Sequence, residues 1–123
     1  MEKILLFTAA GLTFLWGFSH LFPTKNIVKG FGEISPDNRN IITMEWINEG
    51  ATLIFIGILT AAVTVVDTES WLARIVFIII AVFLIALAII SLFTGFRVKF
   101  FAFKLCPVIF TASAILIIAG VLL

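Results

Sequence analysis

Long apolar runs decide what this chain can fold into. From Ile4 to Phe22 the only acid or base is His20, Ala51 to Val66 has none, Trp71 to Gly95 has only Arg74, and Leu105 to Leu123 has none. A helix needs roughly 20 apolar residues to cross the hydrocarbon of a bilayer, and these runs supply that length or come close to it. A water-soluble domain of 123 residues keeps too much surface in water to hide so many Phe, Ile and Leu side chains, with 63% of the chain hydrophobic and 12% charged. The sequence predicts an all-α integral membrane protein. It is a single domain over 1–123, a bundle of four antiparallel transmembrane helices at about 4–22, 36–66, 71–95 and 105–123, with a polar pocket at one end. The first run ends in Trp16, His20 and Phe22 rather than in a small-residue cleavage site, so it reads as a retained span and not a secretory leader.

The connectors carry local signals. Thr24 to Lys29 followed by Gly30 predicts a helical turn stopped by glycine. Ser35, Pro36 and Asp37 stand where an N-cap, a first helical residue and a dipole-favoured acid belong. A helix from Pro36 to Val66 is about 46 Å long against roughly 30 Å of hydrocarbon, so its first residues project into the headgroups. Ala51 to Val66 is too short to span alone, which draws Glu49 to membrane depth. Asp67 to Ser70 forms a polar turn, Arg74 snorkels, and Phe96 to Lys104 mixes bases with phenylalanine as an interfacial connection does. Pro107 marks the first turn of the last helix or kinks it.

Charge sets orientation and excludes some functions. Lys25, Lys29, Arg39, Arg97, Lys99 and Lys104 fall on the side of the long connectors, Lys3 and Arg74 on the other. The positive-inside rule places the 23–43 and 96–104 connectors in the cytoplasm and both termini outside, in a plasma or inner membrane. A net charge of +1 gives no nucleic-acid signal. The single cysteine rules out an internal disulfide and a CxxC pair. Gly57 with Ala61, and Ala119 with Gly120, permit close helix contact within the chain or in a homodimer or larger membrane complex.

One stripe carries the chemistry. Glu45, Asn48, Glu49 and Thr52 recur at spacings of three and four and share a helical face. Ionisable groups at membrane depth are costly and usually face a bundle interior or a wet cavity, so the stripe is expected to point inward. An antiparallel topology brings His20, Ser91, Thr94 and Cys106 to the same depth as these acids, and Trp16 shares a face of the first helix with His20. His20, Glu45 and Glu49 then form a proton-active or ligand-binding cluster, with Trp16, Asn48, Thr52, Ser91 and Thr94 around it. The competing reading has Glu45 paired at the interface with Arg97, Lys99 or Lys104, and Asn48, Glu49 and His20 knitting helices together by hydrogen bonds. No catalytic residue, metal site or cofactor is expected. One His per chain cannot give haem two axial ligands without a dimer, and Cys106 beside Pro107 reads as a small apolar residue.

Two segments carry a resemblance. Phe18, Ser19, His20, Leu21, Phe22 and Pro23 after Gly17, and MEWINEGATLIFIGILT from Met44 to Thr60 with Glu49, Gly50 and Gly57, resemble the DoxX-like family of small four-helix membrane proteins. His20 stands where that family has a commoner basic residue, and the lone Cys106 departs from its redox-linked members. The resemblance implies a membrane subunit, an accessory of quinone or redox complexes or an assembly helper. The arrangement is also similar to membrane sterol-binding and isomerase proteins of the emopamil-binding type, for whose fifth helix this chain is too short.

The expected function is that of a binding or accessory protein holding a hydrophobic small molecule, lipid or quinone-like, whose polar head meets the acids and His20. Two alternatives stand beside it. One is a small proton-coupled transporter or intramembrane isomerase using Glu49 and His20. The other is a structural subunit packed against partner helices, with membrane lipid as its other neighbour.

Overall fold

Serine side chains start two of the long helices. Ser35 accepts a hydrogen bond from the Asn38 N–H at 3.2 Å, with Pro36 as the first helical residue, and Ser70 accepts one from the Ala73 N–H at 3.2 Å. The computed structural model describes residues Met1–Leu123 and contains helices α1 (Glu2–Leu21), α2 (Thr24–Lys29), α3 (Pro36–Val66), α4 (Trp71–Phe93) and α5 (Phe101–Leu122), with a 3-10 turn at Gly95–Arg97 and no strand. Four of them are long and apolar enough to cross a membrane, and the protein is an integral membrane four-helix bundle.

Two boundaries and one helix cap differ from expectation for local reasons. α2 ends at Gly30 as predicted, but Gly30 keeps a right-handed φ of −65° and the left-handed residue is Gly32 at φ 75°, because hydrogen bonds from Phe31 and Gly32 back to Val28 and Lys29 carry the turn further. α4 stops at Phe93, where Thr94 folds its hydroxyl onto the Ile90 carbonyl at 2.6 Å and the chain tightens into the 3-10 turn. α5 starts at Phe101, so the connector is partly helical and Pro107 lies inside the helix rather than at its start. Lacking an N–H, Pro107 leaves the Phe103 carbonyl without its usual helical donor.

α1 is the central helix. It packs along α3 on one side and α5 on the other, while α4 packs along α5 and scarcely touches α3. The order round the bundle is therefore α3, α1, α5, α4, with the ring open between α4 and α3, although only the short Asp67–Ser70 turn separates those two helices in sequence. Glycine brings α1 and α3 together. A Cβ on Gly17 would lie 2.7 Å from the Gly50 carbonyl oxygen, and one on Gly57 would lie 2.8 Å from the Ala10 carbonyl oxygen and 2.7 Å from the Phe14 Cβ. The small-residue contact of Gly57 is thus made within the chain.

Leu6, Leu53, Phe77, Leu84, Phe110 and Ile117 fill the core. Buried threonines satisfy themselves: Thr13, Thr60 and Thr64 donate to the carbonyls of Ala9, Ile56 and Thr60 at 2.9, 2.8 and 2.7 Å. Large apolar side chains such as Phe55, Ile58, Ile79, Val82 and Ile115 stand exposed on the outer faces, as helices solvated by lipid require.

Candidate functional site

Trp46 of α3 reaches across to the end of α1. Its Nε1–H donates to the His20 carbonyl at 2.8 Å, one of the last carbonyls of α1 and so without a helical donor of its own. The two rings stack with centroids 3.9 Å apart and planes 15° from parallel. On its other side Trp46 meets Phe103 of α5 at 5.6 Å, and Phe103 meets Phe100 at 6.1 Å.

These rings roof a cavity of about 130 Å³ between the connector ends of α1, α3 and α5. Trp16, Ser19 and His20 come from α1, Trp46 from α3, Ala102, Phe103 and Cys106 from α5, and Pro23 and Phe100 from the connectors. Most polar atoms at its wall are already used. The Ser19 hydroxyl donates to the Leu15 and Trp16 carbonyls, and the Cys106 thiol points to the Ala102 carbonyl at 3.8 Å. Two buried nitrogens have no hydrogen-bond partner: Trp16 Nε1 and His20 Nε2. Beside Trp16 lies the Cys106 sulfur, a weak acceptor.

His20 Nε2 does have a charged neighbour, Glu49 Oε2 at 3.3 Å. The distance is that of an ion pair, but the geometry is not that of a hydrogen bond. The imidazole is 7% exposed and the carboxylate 44%, so the pair runs from a buried wall out to an open one. It is the single close contact between an acidic and a basic side chain in the molecule. Glu45 pairs with none of Arg97, Lys99 and Lys104, and Lys104 Nζ instead lies 5.8 Å over the Phe96 ring.

The acidic stripe faces outward, contrary to the inward orientation expected for it. Glu45, Asn48, Glu49 and Thr52 are all exposed and line the open cleft between α3 and α4, about 480 Å³, opposite Phe83 and Leu87. The inward face of α3 belongs to Trp46, Gly50, Leu53 and Gly57, which pack on α1, and the stripe lies about 100° round the helix from it. The Thr52 hydroxyl is spent on the Asn48 carbonyl at 2.7 Å. The single pocket foreseen from sequence is therefore two spaces, an aromatic cavity and an acidic cleft, divided by Trp46, which lines both.

Ser91 and Thr94 join neither space. α4 packs on the far side of α5, which keeps both residues away from the end of α1, and Thr94 is exposed. Cys106, placed by depth alone, does reach the cavity. Phe100 and Phe103 were not anticipated at the wall. Their signal was present in the phenylalanine-rich 96–104 segment, but an interfacial segment and a cavity roof share that composition. No protein-family model, curated protein or solved structure matches this chain.

Proposed function

We propose that this membrane protein binds a hydrophobic small molecule, lipid or quinone-like, in the cavity closed by Trp16, His20, Trp46 and Phe103. The observation that carries this reading is an almost wholly apolar cavity of about 130 Å³ enclosed by aromatic rings from α1, α3 and α5. An apolar space of roughly 150 Å³ holds a benzene-sized guest, so a ring or a short acyl segment fits here. Apolar enclosure with a few polar groups at one wall is what an amphiphile needs. The site differs from the expected one in its residues: Trp16 and His20 meet the ligand, while Glu45, Asn48 and Thr52 stand outside it.

Native mass spectrometry in mild detergent tests the reading. A discrete mass retained at one per chain and lost in Ala102→Phe, which projects a ring into the cavity, supports it. A bare chain that stays bare across detergents of increasing mildness refutes it.

The open α3–α4 cleft favours a second reading, a subunit of a larger membrane complex whose partner helix covers the stripe. The resemblance to the DoxX-like family accords with either role. On both readings the connectors with Lys25, Lys29, Arg97 and Lys99 face the cytoplasm and the termini face outward. Co-purification of a stoichiometric partner that Glu45→Lys releases supports the subunit reading.

A further inference from the structure

We propose that the seam between α3 and α4 is filled by a second copy of this chain, whose α5 lies along it and sets Lys104 against Glu45. This partner makes specific the reading of the protein as a subunit of a membrane complex, on which it rests, and it is independent of the aromatic cavity.

The seam is as long as a membrane span. Beyond the acidic cleft of about 480 Å³, a second opening of about 380 Å³ separates the far ends of the same two helices, between Val63 and Val66 on α3 and Ala73 and Val76 on α4. From Glu45 to Val66 α3 covers about 32 Å, against roughly 30 Å of hydrocarbon.

The outer face of α5 is a matching ridge. Val108, Thr111, Ile115, Ile118 and Leu122 are exposed at spacings of three and four, and Lys104 precedes Val108 by four residues on the same face. The ridge runs for about 27 Å, in the same direction as α3 from the connector side to the far side.

Depth and charge fix the pairing. The Trp46 and Phe103 rings meet at 5.6 Å, so the residues next to them, Glu45 and Lys104, lie at one depth. Copies inserted with one topology are related by rotation about the membrane normal, which preserves depth. Neither Glu45 nor Lys104 has an opposite charge within 4.0 Å in its own chain, and a charge at membrane depth is costly until it is paired. Seam against seam would crowd the carboxylates of Glu45 and Glu49 from both copies, and ridge against ridge would set lysine on lysine. Like charges set together oppose association. Ridge in seam brings unlike charges together, and because it joins two different faces it builds a ring or chain of copies.

Cysteine cross-linking in the membrane tests the contact. With Glu45 beside Lys104, one heptad further along each helix places Thr52 beside Thr111, and both are exposed. Within one chain α3 and α5 scarcely touch, so a disulfide between these positions joins two copies. In a Cys106→Ala background, Thr52→Cys with Thr111→Cys is expected to give a ladder of dimer, trimer and higher species on oxidation, and either cysteine alone none. Native mass spectrometry of the unmodified protein in nanodiscs is expected to show multiples of the chain mass. Glu45→Lys and Lys104→Glu should each lower their fraction about tenfold or more, and the two together should restore it to within about twofold.

A monomer with a different chain bound in stoichiometric amount overturns the second copy and leaves the subunit reading standing. A bare monomer overturns both. Oligomers that ignore the charge exchange, or cross-links through Thr111→Cys alone, overturn the placing of α5 in the seam. The unmodified protein decides between one copy and several even where a variant does not fold.

Discussion

His20 Nε2 and Glu49 Oε2 lie 3.3 Å apart across the α1–α3 interface, the ring buried and the carboxylate nearly half exposed. Such a pair is asymmetric in what it contributes. The half-exposed charge is screened, and exposed ion pairs contribute about 0–1 kcal/mol. The imidazole adds its stack on Trp46 and its share of the cavity wall. Glu49→Gln is therefore expected to cost less than about 1 kcal/mol, and His20→Ala about 2–4 kcal/mol, in the range of buried large-to-small changes. Denaturant unfolding in detergent compares the two. Equal losses would mean that charge, not packing, holds this corner.

Trp46 ties α1 to α3 and separates the cavity from the cleft. Trp46→Phe keeps a ring but removes the N–H on the His20 carbonyl, for an expected loss of about 1 kcal/mol. Trp46→Ala removes the partition itself. Cys106 is only 7% exposed, and thiol reactivity depends on access. Labelling of Cys106 by N-ethylmaleimide should be slow in the native protein and about tenfold faster or more in Trp46→Ala. Unchanged labelling would show that Trp46 is not the barrier.

The sequence made α3 legible to the residue, because Ser35, Pro36 and the polar Asp67 turn each act locally. It also made the four spans legible, because hydrocarbon solvation depends on length and composition alone. The site was harder to read. α3 carries two stripes, one of carboxylates and one of small residues, and the polar stripe looked like the inward one because charge in lipid is costly. Gly50 and Gly57 win the interior because helix backbones in direct contact admit no side chain between them, and the carboxylates are left facing a cleft that the bundle does not close. That cleft follows from the order of helices round the bundle, which is a tertiary property. Ser91 and Thr94 were misplaced for the same reason, since equal depth does not imply equal azimuth.

Two glycines that look alike in sequence should behave oppositely. A Cβ on Gly57 would meet the Ala10 carbonyl and the Phe14 backbone nitrogen at 2.8 Å, and backbone cannot move aside as a side chain can. Gly57→Leu is expected to force α1 and α3 apart and cost about 3 kcal/mol or more. Nothing lies within 4 Å of a Cβ on Gly11. Gly11→Ala should stabilise by up to about 1 kcal/mol through helix propensity. Thermal unfolding of both variants tests the contrast, and tolerance of leucine at Gly57 would refute the close α1–α3 contact.

Asp67 ends α3 and shapes the turn into α4. The Ser70 side chain and then the Glu69 N–H hold its carboxyl below the ordinary value of 3.8. The carboxylate accepts from the N–H groups of Glu69 at 2.8 Å and Ser70 at 3.3 Å, so the ionised form fits the folded turn. A carboxyl whose value is lowered by folding adds stability that is fully present above its unfolded value and is lost as pH falls through its folded one. The unfolding temperature is therefore expected to hold steady above about pH 5 and to fall as the pH drops below about 4. Asp67→Asn, which cannot titrate, should lie below the native protein at neutral pH and converge with it in acid. Parallel pH profiles for the two proteins would show that the Asp67 charge does not hold this turn.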